Sequence, residues 1–421
     1  MDNRYKKIEV NNSCYYFCVD DFEIIKIEDD SLDISRIIKE KLINANKIKD
    51  FDEKQIEVRP KSMIGINIIS GCNLNCGYCY LTASKKPIQK LTKERFIDIL
   101  KFFENEKDHH IVLYFIGGGE PTLNFELLKM IPELCFAGGF KDVSFELTTN
   151  GTTLTDEMME FIKKNKVTLY ISFDGSKRTN ASRVYKDGRG IFEDVYNNLR
   201  KLELNDIDYK CKALIQPCNK NMLDAFLFFE DNKISFKFDF ATDSFDGRYM
   251  PKISELEDFS SQLEGVLDVY KKKIIANEKV YSENIILDLK RLHYGLTNKI
   301  ACSASINGFI VDLDGKIYTC TMNSNSPMLS VGSIYSIINY DKIIREGFFA
   351  KPVDCYRTCE DCWVKYLCSG GCFALNKLKN NDVAKPYEYM CIIEKLYWES
   401  MIKMYIKLWY STNISDNINF I

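Results

Sequence analysis

The sequence predicts an α/β fold in which a parallel sheet, covered by helices, forms a partial barrel of six strand–helix units. Three observations support this prediction. Between residues 63 and 241, apolar runs rich in β-branched residues alternate with amphipathic helical segments. The runs are almost continuously apolar, as strands buried on both faces are. Polar and glycine-rich segments follow four of the runs, at the strand ends where parallel β/α folds form their sites. A doubly wound open sheet is the alternative.

The elements follow from the same patterns. Helical segments include residues 91–107, 155–166 and 191–206, and Thr155, followed by two acidic residues, is the expected start of the second. Residues 256–278 and 284–296 also have helical spacing, and GFIVDLDGKIYTC predicts a hairpin turning at Asp314–Gly315. The six predicted strands are Ile64–Ser70, Ile111–Ile116, Val143–Thr148, Thr168–Phe173, Lys210–Gln216 and Ser235–Ala241.

The chain outside the barrel divides into further segments. Near the N-terminus, CYYFCVDDFEIIKIEDD alternates like a hairpin, and SLDISRIIKEKL has helical spacing with Ser31 as a cap. A polar stretch then leads to the barrel. The predicted domains are residues 1–50, the barrel at 63–241, a helical bridge at 242–300, a cysteine-rich domain at 301–400 and a tail at 401–421.

Composition excludes several classes of protein. The 421-residue chain is 46% hydrophobic with a formal charge of −3, and its charges are interspersed, so nothing indicates binding to nucleic acid or to a membrane surface. No apolar stretch approaches the roughly 20 residues of a membrane helix. The start lacks the apolar core of a signal peptide. We therefore expect a cytoplasmic protein.

Sixteen cysteines need an explanation, because reducing cytosol disfavours disulfides. Eleven fall into two groups with the short spacings that metal ligands use. The other five are expected to be small buried apolar residues. They are Cys14, Cys18, Cys135, Cys211 and Cys218.

The first group follows the first predicted strand with the spacing CxxxCxxC. It consists of Cys72, Cys76 and Cys79 in SGCNLNCGYCYL. A 4Fe–4S cube takes four ligands, so three thiolates leave one iron open to a small molecule. A structural zinc site normally completes its fourth position with a nearby residue, and the next histidines are about 30 residues on. An iron–sulfur cluster with an open iron is the better interpretation.

The second group contains eight cysteines, the number that two 4Fe–4S cubes require. Two zinc sites of four cysteines each are the alternative that spacing alone leaves open. The group consists of Cys302, Cys320, Cys355, Cys359, Cys362, Cys368, Cys372 and Cys391.

CxxxCxxC with Tyr78 before its third cysteine, followed by GGGEP at 117–121, resembles the radical S-adenosylmethionine (SAM) superfamily. The resemblance implies a partial (β/α)6 TIM-like barrel that binds a 4Fe–4S cluster and SAM. An electron then cleaves SAM, and the 5′-deoxyadenosyl radical takes hydrogen from substrate. The implied catalytic cluster ligands are Cys72, Cys76 and Cys79. Tyr78 would lie against the adenine of SAM, and Asn150 would contact the ribose. The amino group would be held by Gly118, Gly119, Glu120 and Pro121. The polar and carboxylate-binding positions would be Ser172, Asp174 and Arg183.

After such a barrel, the second cysteine group resembles the SPASM extension, which carries two auxiliary 4Fe–4S clusters in radical enzymes that modify peptides and proteins. The resemblance assigns Cys359, Cys362, Cys368 and Cys391 to an outer cluster, and Cys302, Cys320 and Cys372 to an inner one. Cys355 either completes the inner cluster or leaves it an open iron that could bind a substrate thiolate.

The run CEDCWVKYLCSGGC, with Trp363 and Tyr366, is similar to clostridial-type maturases that form thioether crosslinks in cysteine-rich ribosomal peptides. This implies a precursor peptide with a leader as partner, and reduced flavodoxin or ferredoxin as electron donor. It also implies that residues 1–50 are a winged-helix-like element that recognises the leader by strand addition.

Other chemistries share these motifs. Sulfatase-maturing enzymes, which make formylglycine, carry an aspartate after the cysteine of the Gly-x4-Cys element. Here Thr321 follows Cys320, and threonine cannot accept a proton as a carboxylate can. Thr321 therefore argues against formylglycine formation. Epimerisation and carbon–carbon crosslinking stay open, and a non-enzymatic, zinc-bound peptide-recognition protein is the alternative from another class.

Overall fold

The computed structural model describes most of the chain, which forms two compact units. The first unit combines described parts of Met1–Glu57, Ile253–Cys302 and Ala350–Ile421; the second combines those of Val58–Lys252 and Ser303–Phe349. The described residues are 5–27, 63–217, 221–242, 252–302, 308–339 and 351–411, with single positions 249, 304, 306 and 343.

The second unit is built on one nine-stranded sheet, and its first six parallel strands lie side by side in chain order. Their order in the sheet follows the chain without a reversal of direction, which excludes the doubly wound alternative. All six predicted strands are confirmed within a few residues. The strands are β4 (Met63–Ile66), β7 (Ile111–Phe115), β8 (Val143–Thr149), β9 (Thr168–Ser172), β10 (Tyr209–Ile215) and β11 (Phe236–Phe240). The first predicted strand is divided, since β5 (Ile69–Ser70) leaves the sheet to pair with β6 (Gln89–Lys90).

Helices connect these parallel strands. Thr155 begins the third helix as predicted, because its hydroxyl accepts a hydrogen bond from the Met158 N–H. Alternate strand residues are buried: Cys211, Ala213 and Ile215 of β10 show the pattern. The helices are α1 (Lys93–Phe102), α2 (Phe125–Ala137), α3 (Asp156–Lys164), α4 (Phe192–Leu204) and α5 (Met222–Asp231).

The predicted hairpin at Asp314–Gly315 forms, and it also extends the barrel sheet. Its first strand, β12 (Gly308–Val311), pairs in parallel with β4, while β13 (Lys316–Tyr318) and β14 (Gly332–Ser333) continue the sheet antiparallel. The sequence does not reveal this pairing. It places the loop after β13, which contains Cys320 and Thr321, in the same unit as the barrel.

The first unit contains a three-stranded antiparallel sheet and several helices. The strands are β1 (Tyr5–Val10), β2 (Ser13–Cys18) and β3 (Ile24–Ile27), so the predicted N-terminal hairpin is confirmed with one additional strand. The predicted helix beginning at Ser31 and the linker lie outside the described residues. The helices are α6 (Phe259–Ile275), α7 (Glu283–Tyr294), α8 (Lys365–Cys368), α9 (Phe373–Asn380) and α10 (Glu388–Ser411).

Two predicted domain boundaries do not coincide with the compact units. The boundary at residue 400 falls inside α10, whose apolar side packs on α6, α7 and β1. The bridge at 242–300 is not a separate domain, because α6 and α7 belong to the same compact unit as the N-terminal sheet. An ion pair of 2.7 Å between Lys6 and Glu399 joins β1 to α10.

Burial agrees with the expectation for three of the dispersed cysteines. Cys18, Cys135 and Cys211 are buried, and Cys14 is half-buried. Cys218 lies outside the described residues. Within the described part of the chain, we find no helix with the length and apolarity needed to span a membrane.

Candidate active site

The loops that follow β5 and β7 are joined by their backbones. The Gly71 N–H donates to the Gly118 carbonyl at 3.2 Å, and the Glu120 N–H donates to the Gly71 carbonyl at 3.2 Å. A Cβ on Gly119 would lie 1.7 Å from the Gly71 oxygen, and one on Gly118 would lie 2.3 Å from the Ile69 oxygen. Only glycine allows this approach. The GGGEP segment is therefore fixed against the start of the cysteine loop.

The three thiols of CxxxCxxC lie in this loop and interact electrostatically. Burial raises the pKa of the Cys72 thiol to about 12, and Glu120, Cys76 and Cys79 add to the shift. Burial also raises the pKa of Cys76 to about 11, although Arg183 opposes this. Since metals bind the thiolate form, a positively charged group is needed to stabilise three thiolates here.

Asn150 is bound to the cysteine loop. Its amide nitrogen donates to Cys72 Sγ at 3.8 Å and to Asn73 Oδ1 at 2.9 Å. Its Oδ1 accepts from both the N–H and the hydroxyl of Thr152, at 3.0 and 2.7 Å. These bonds use both N–H groups and both acceptor sites. Asn150 therefore positions Cys72, with Asn73 and Thr152 as partners that sequence reasoning missed, and its ribose contact stays a prediction.

Glu120 joins the GGGEP loop to the end of β8. Its Oε1 accepts from the Thr149 hydroxyl at 2.5 Å and from the Thr122 hydroxyl at 2.8 Å, and its Oε2 accepts from the Asn150 N–H at 2.8 Å. Burial raises the pKa of Glu120, and these hydrogen bonds oppose the shift. Oε2 keeps capacity for one more donor. Pro121 is buried and begins the helical turn that follows.

A buried network follows β9. Asp174 receives two hydrogen bonds from Arg183, at 2.8 and 2.9 Å, one from the Leu214 N–H at 2.8 Å and one from the Tyr78 hydroxyl. All four acceptor sites of the carboxylate are occupied. Asp174 therefore positions Tyr78 and Arg183, and its predicted contact with the cofactor stays a prediction. The Arg183 guanidinium also lies 5.4 Å from the centre of the Tyr78 ring.

In this network Arg183 is charged and the Tyr78 phenol is neutral. Burial on its own lowers the pKa of Arg183, but Asp174 more than offsets this and raises it well above its usual value. Burial raises the pKa of the Tyr78 phenol. Arg183 is thus a permanent cation beside Cys76, and Ser172, half-buried at the end of β9, lies two residues before Asp174. Their predicted cofactor contacts stay predictions.

Asn67, which follows β4, is a site residue that sequence reasoning missed. It is buried, and its Oδ1 has no hydrogen-bond partner. That oxygen lies 3.3 Å from where a Cβ of Gly117 would be. A buried amide oxygen facing a glycine cradle suits the ammonium group of a ligand, and three thiolates suit a cluster with an open iron. The residues present therefore fit the cluster and SAM.

Thr321 lies at the same glycine loop. Its Cγ2 is 3.3 Å from where a Cβ of Gly117 would be, and its hydroxyl accepts from the Tyr80 hydroxyl at 3.4 Å. Cys320 precedes it in the loop after β13. The sequence position after Cys320, where we expect an aspartate in a sulfatase-maturing enzyme, therefore lies at the glycine loop. In this chain the residue there is a threonine, which carries a hydroxyl group in place of a carboxylate.

The four predicted outer-cluster cysteines lie together in the first unit. Burial raises the pKa of the Cys368 thiol well above its usual value, and Glu394 and the other three thiols add to the shift. Burial raises the pKa of Cys391 to about 11, with Cys359 and Cys362 adding to it. Arg291 donates to the carbonyls of Tyr366 and Leu367, at 3.0 and 2.9 Å, and so holds the cysteine run in place.

The predicted inner-cluster cysteines are divided between the two units. Cys302, Cys355 and Cys372 belong to the first unit and Cys320 to the second, so their assembly stays a prediction. Cys355 and Cys372 both act electrostatically on the buried Tyr356 phenol. Among the residues that the structure describes, no three His, Cys, Asp or Glu side chains are close enough to ligate a single metal ion.

A partial parallel barrel with three thiols and a glycine cradle at its strand ends defines an enzyme that binds a cluster and an adenosyl cofactor. Residues 66–215 match the family model of the Radical SAM superfamily. The chain carries a radical SAM domain and is an enzyme that uses SAM. This family implies a 4Fe–4S cluster as well.

Relatives cover nearly the whole chain. It is 23% identical over 388 residues to a cysteine-type anaerobic sulfatase-maturating enzyme of Clostridium perfringens, covering 85% of this chain and 99% of the relative. Native anSMEcpe with bound AdoMet and Kp18Cys peptide superposes with a TM-score of 0.68 at 22% identity, covering 84% of this chain and 99% of that chain. Streptococcus suis SuiB bound to precursor peptide SuiA superposes with a TM-score of 0.55 at 14% identity, covering 92% of this chain and 98% of that chain. At these identities the two structures establish a shared fold alone.

Proposed function

We propose that this enzyme is a peptide maturase that forms thioether crosslinks between a cysteine sulfur and a carbon of a ribosomal precursor peptide. Two of the structurally similar proteins hold a peptide, Kp18Cys in one and SuiA in the other, which supports a peptide substrate. The cysteine run at 359–372 supports a SPASM domain with two auxiliary clusters. Reduced flavodoxin or ferredoxin is the proposed electron donor.

The observation that carries thioether formation over formylglycine formation is Thr321. After a hydrogen atom has left the carbon, formylglycine formation removes one electron and the proton of the attached S–H or O–H group. A carboxylate can accept this proton and a hydroxyl cannot. Thr321 lies at the glycine loop in the place of that carboxylate. Thioether formation instead leaves the sulfur bonded to the new carbon and needs no base at this position.

The bound cluster and SAM would supply a 5′-deoxyadenosyl radical that takes a hydrogen atom from the peptide. Cys72, Cys76 and Cys79 would hold the cluster, and the orphaned Asn67 oxygen and the Gly118–Gly119 cradle would receive the amino group of SAM. Arg183, held by Asp174 and packed on Tyr78, would orient the cofactor's anionic or aromatic parts. Asn150 would donate to a cluster thiolate.

The experiment is anaerobic reconstitution followed by mass spectrometry of a co-expressed, cysteine-rich precursor peptide. We expect a loss of two hydrogens per link, thiols that no longer react with iodoacetamide, and no aldehyde that reacts with a hydrazide. A hydrazide-reactive product would show formylglycine formation and contradict the proposal. A crosslink with all thiols still reactive would show carbon–carbon chemistry.

We further propose that the N-terminal sheet recognises the leader of the precursor. In the described residues, β3 is an edge strand of this sheet, with no strand paired to its outer side. A cavity of about 470 Å³ adjoins it, lined on one side by Phe22 and Ile24 and on the other by Tyr405 and Trp409. An extended peptide could pair with the strand edge while its side chains enter the cavity.

This leader site can be tested with one pair of variants. Trp409→Ala should weaken binding of a fluorescein-labelled precursor peptide at least about tenfold, because aromatic anchors carry most of the energy of such contacts. Phe136→Ala, which removes another exposed aromatic ring from α2, is the control. Equal affinities for the two variants would refute the site.

A further inference from the structure

Lys212 of β10 faces the inside of the barrel. Its neighbours Cys211 and Ala213 are buried on the helix side of the sheet, so the side chain of Lys212 is on the opposite, inner face. Its cross-strand partners are Ser172 on β9 and Lys237 on β11. Lys212 therefore presents an amine on the concave side of the barrel.

The Lys212 amine is held by two neighbours. Its Nζ lies 3.3 Å from Thr148 Oγ1 and 4.0 Å from the centre of the Tyr170 ring. The charged groups that face it are Glu146 on β8, and Asp239 and Lys237 on β11. Burial lowers the pKa of Lys212, and the positive charge of Lys237 lowers it further. The carboxylates of Glu146 and Asp239 oppose this shift.

The strand connects this amine to the candidate active site. The Lys212 carbonyl accepts from the Phe173 N–H at 3.1 Å, directly before Asp174. Two residues further along β10, the Leu214 N–H binds the Asp174 carboxylate. Thr148 precedes Thr149, whose hydroxyl binds Glu120. The strands that position Lys212 therefore end in the loops that form the cofactor site.

We propose that Lys212 accepts the proton of the substrate cysteine thiol and holds the resulting thiolate inside the barrel. This inference rests on the proposed thioether chemistry, which needs the cysteine as its anion. The proton moves from sulfur to nitrogen, R–SH and R′–NH₂ giving R–S⁻ and R′–NH₃⁺, and no electron is transferred. An adjacent ammonium group stabilises a thiolate. A partly desolvated lysine suits this task because burial favours its neutral form, which is the form that accepts a proton.

The first test measures whether Lys212 binds a thiol in the reconstituted holoenzyme. Lysines are acylated with a trace of acetic anhydride across a pH series, and the extent at Lys212 is read by mass spectrometry, with the exposed Lys177 as internal control. The probes are N-acetylcysteinamide, N-acetylserinamide and the amide of N-acetylglutamic acid. We expect the series to give Lys212 a pKa below the ordinary value of a lysine, and only the cysteine probe to protect it.

Three results would overturn the proposal in this test. The first is equal protection of Lys212 by the serine and cysteine probes. The second is protection by the glutamate probe alone, which would show that the amine binds a carboxylate. The third is no protection by any probe. Because the readout is acylation and does not need crosslinking, it remains decisive even if the peptide product proves not to be a thioether.

The second test compares Lys212→Met with Lys212→Arg. Arginine keeps the positive charge but cannot accept a proton, so both variants should lose at least about 100-fold in crosslinking rate while still forming 5′-deoxyadenosine. Lys177→Met, an exposed lysine paired with Glu193, is the control. Full crosslinking by Lys212→Arg would show that the charge alone matters and contradict proton transfer. Raising the pH ionises the thiol without Lys212, so it should partly rescue both variants, and Lys212→Arg more than Lys212→Met because the arginine charge still stabilises the thiolate.

Discussion

At the scale of single residues, the account depends on a buried ion pair. Arg183 and Asp174 are only 9% and 2% exposed at their side chains, and their contact is bidentate. Removing one partner of such a pair leaves a charge without compensation, which costs more than the pair itself contributes. The pair therefore fixes where Tyr78 and the guanidinium lie, whether or not it adds net stability.

Asp174→Asn should lower the free energy of unfolding by about 3–5 kcal/mol, because Arg183 would keep its charge in a buried site. Urea unfolding of the apoprotein measures this. The matched control is Asp194→Asn, whose partner Arg189 is 60% exposed and for which we expect about 0–1 kcal/mol. Similar losses for both variants would contradict a special role for the buried pair.

Asn150 leads to a second prediction at this scale. A hydrogen bond to a cluster sulfur favours the reduced, more negative state, so Asn150→Ala should make the reduction potential of the Cys72 cluster more negative. Potentiometry followed by electron paramagnetic resonance measures the shift. Asn165→Ala, at the end of α3, is the control. An unchanged potential in Asn150→Ala would refute the hydrogen bond to the bound cluster.

At the scale of elements, each of the first five parallel strands of the barrel is followed by a helix, α1 to α5. Thr155 ends the loop after β8 and caps α3, with Asp156 and Glu157 in the first turn and Lys163 and Lys164 in the last. This arrangement matches the helix dipole at both ends. The loop that contains Asn150 thus lies between a paired strand and a capped helix, which limits its freedom.

Thr155→Ala should lower the free energy of unfolding by about 1 kcal/mol, because the Met158 N–H would lose its cap. Thr155→Ser retains an acceptor and should stay close to the native protein. Both values come from urea unfolding of the apoprotein. If alanine and serine behave alike, the hydroxyl is not acting as a cap.

At the scale of the whole molecule, local patterns predicted more than long-range ones. The six strands and the Thr155 cap depend on apolar runs and nearby residues, and the structure confirms them. The parallel pairing of β12 with β4 joins residues far apart in the chain, and no local signal marks it. The N-terminal hairpin was predictable from alternation, while the inclusion of α10 beyond residue 400 was not.

In the candidate active site, too, residues in local motifs were predictable and residues defined by distant contacts were not. The cysteines and glycines can be recognised in the sequence because their spacing indicates cluster and cofactor binding. Asp174 and Asn150 were correctly placed at strand ends, but their roles depend on which atoms their side chains meet, namely Arg183 and Asn73. Asn67 has no motif at all, since an unpartnered buried oxygen becomes visible only when the surrounding backbone is folded.

The most direct test of the account is the metal content and SAM cleavage of the anaerobically reconstituted enzyme and of its Cys72→Ala, Cys76→Ala, Cys79→Ala triple variant. We predict about twelve irons with equal sulfide in the native chain and about eight in the variant, if all three clusters form as cubes. Only the native chain should release 5′-deoxyadenosine. A native protein that contains two zinc ions and no sulfide, or a triple variant that still cleaves SAM, would contradict the account.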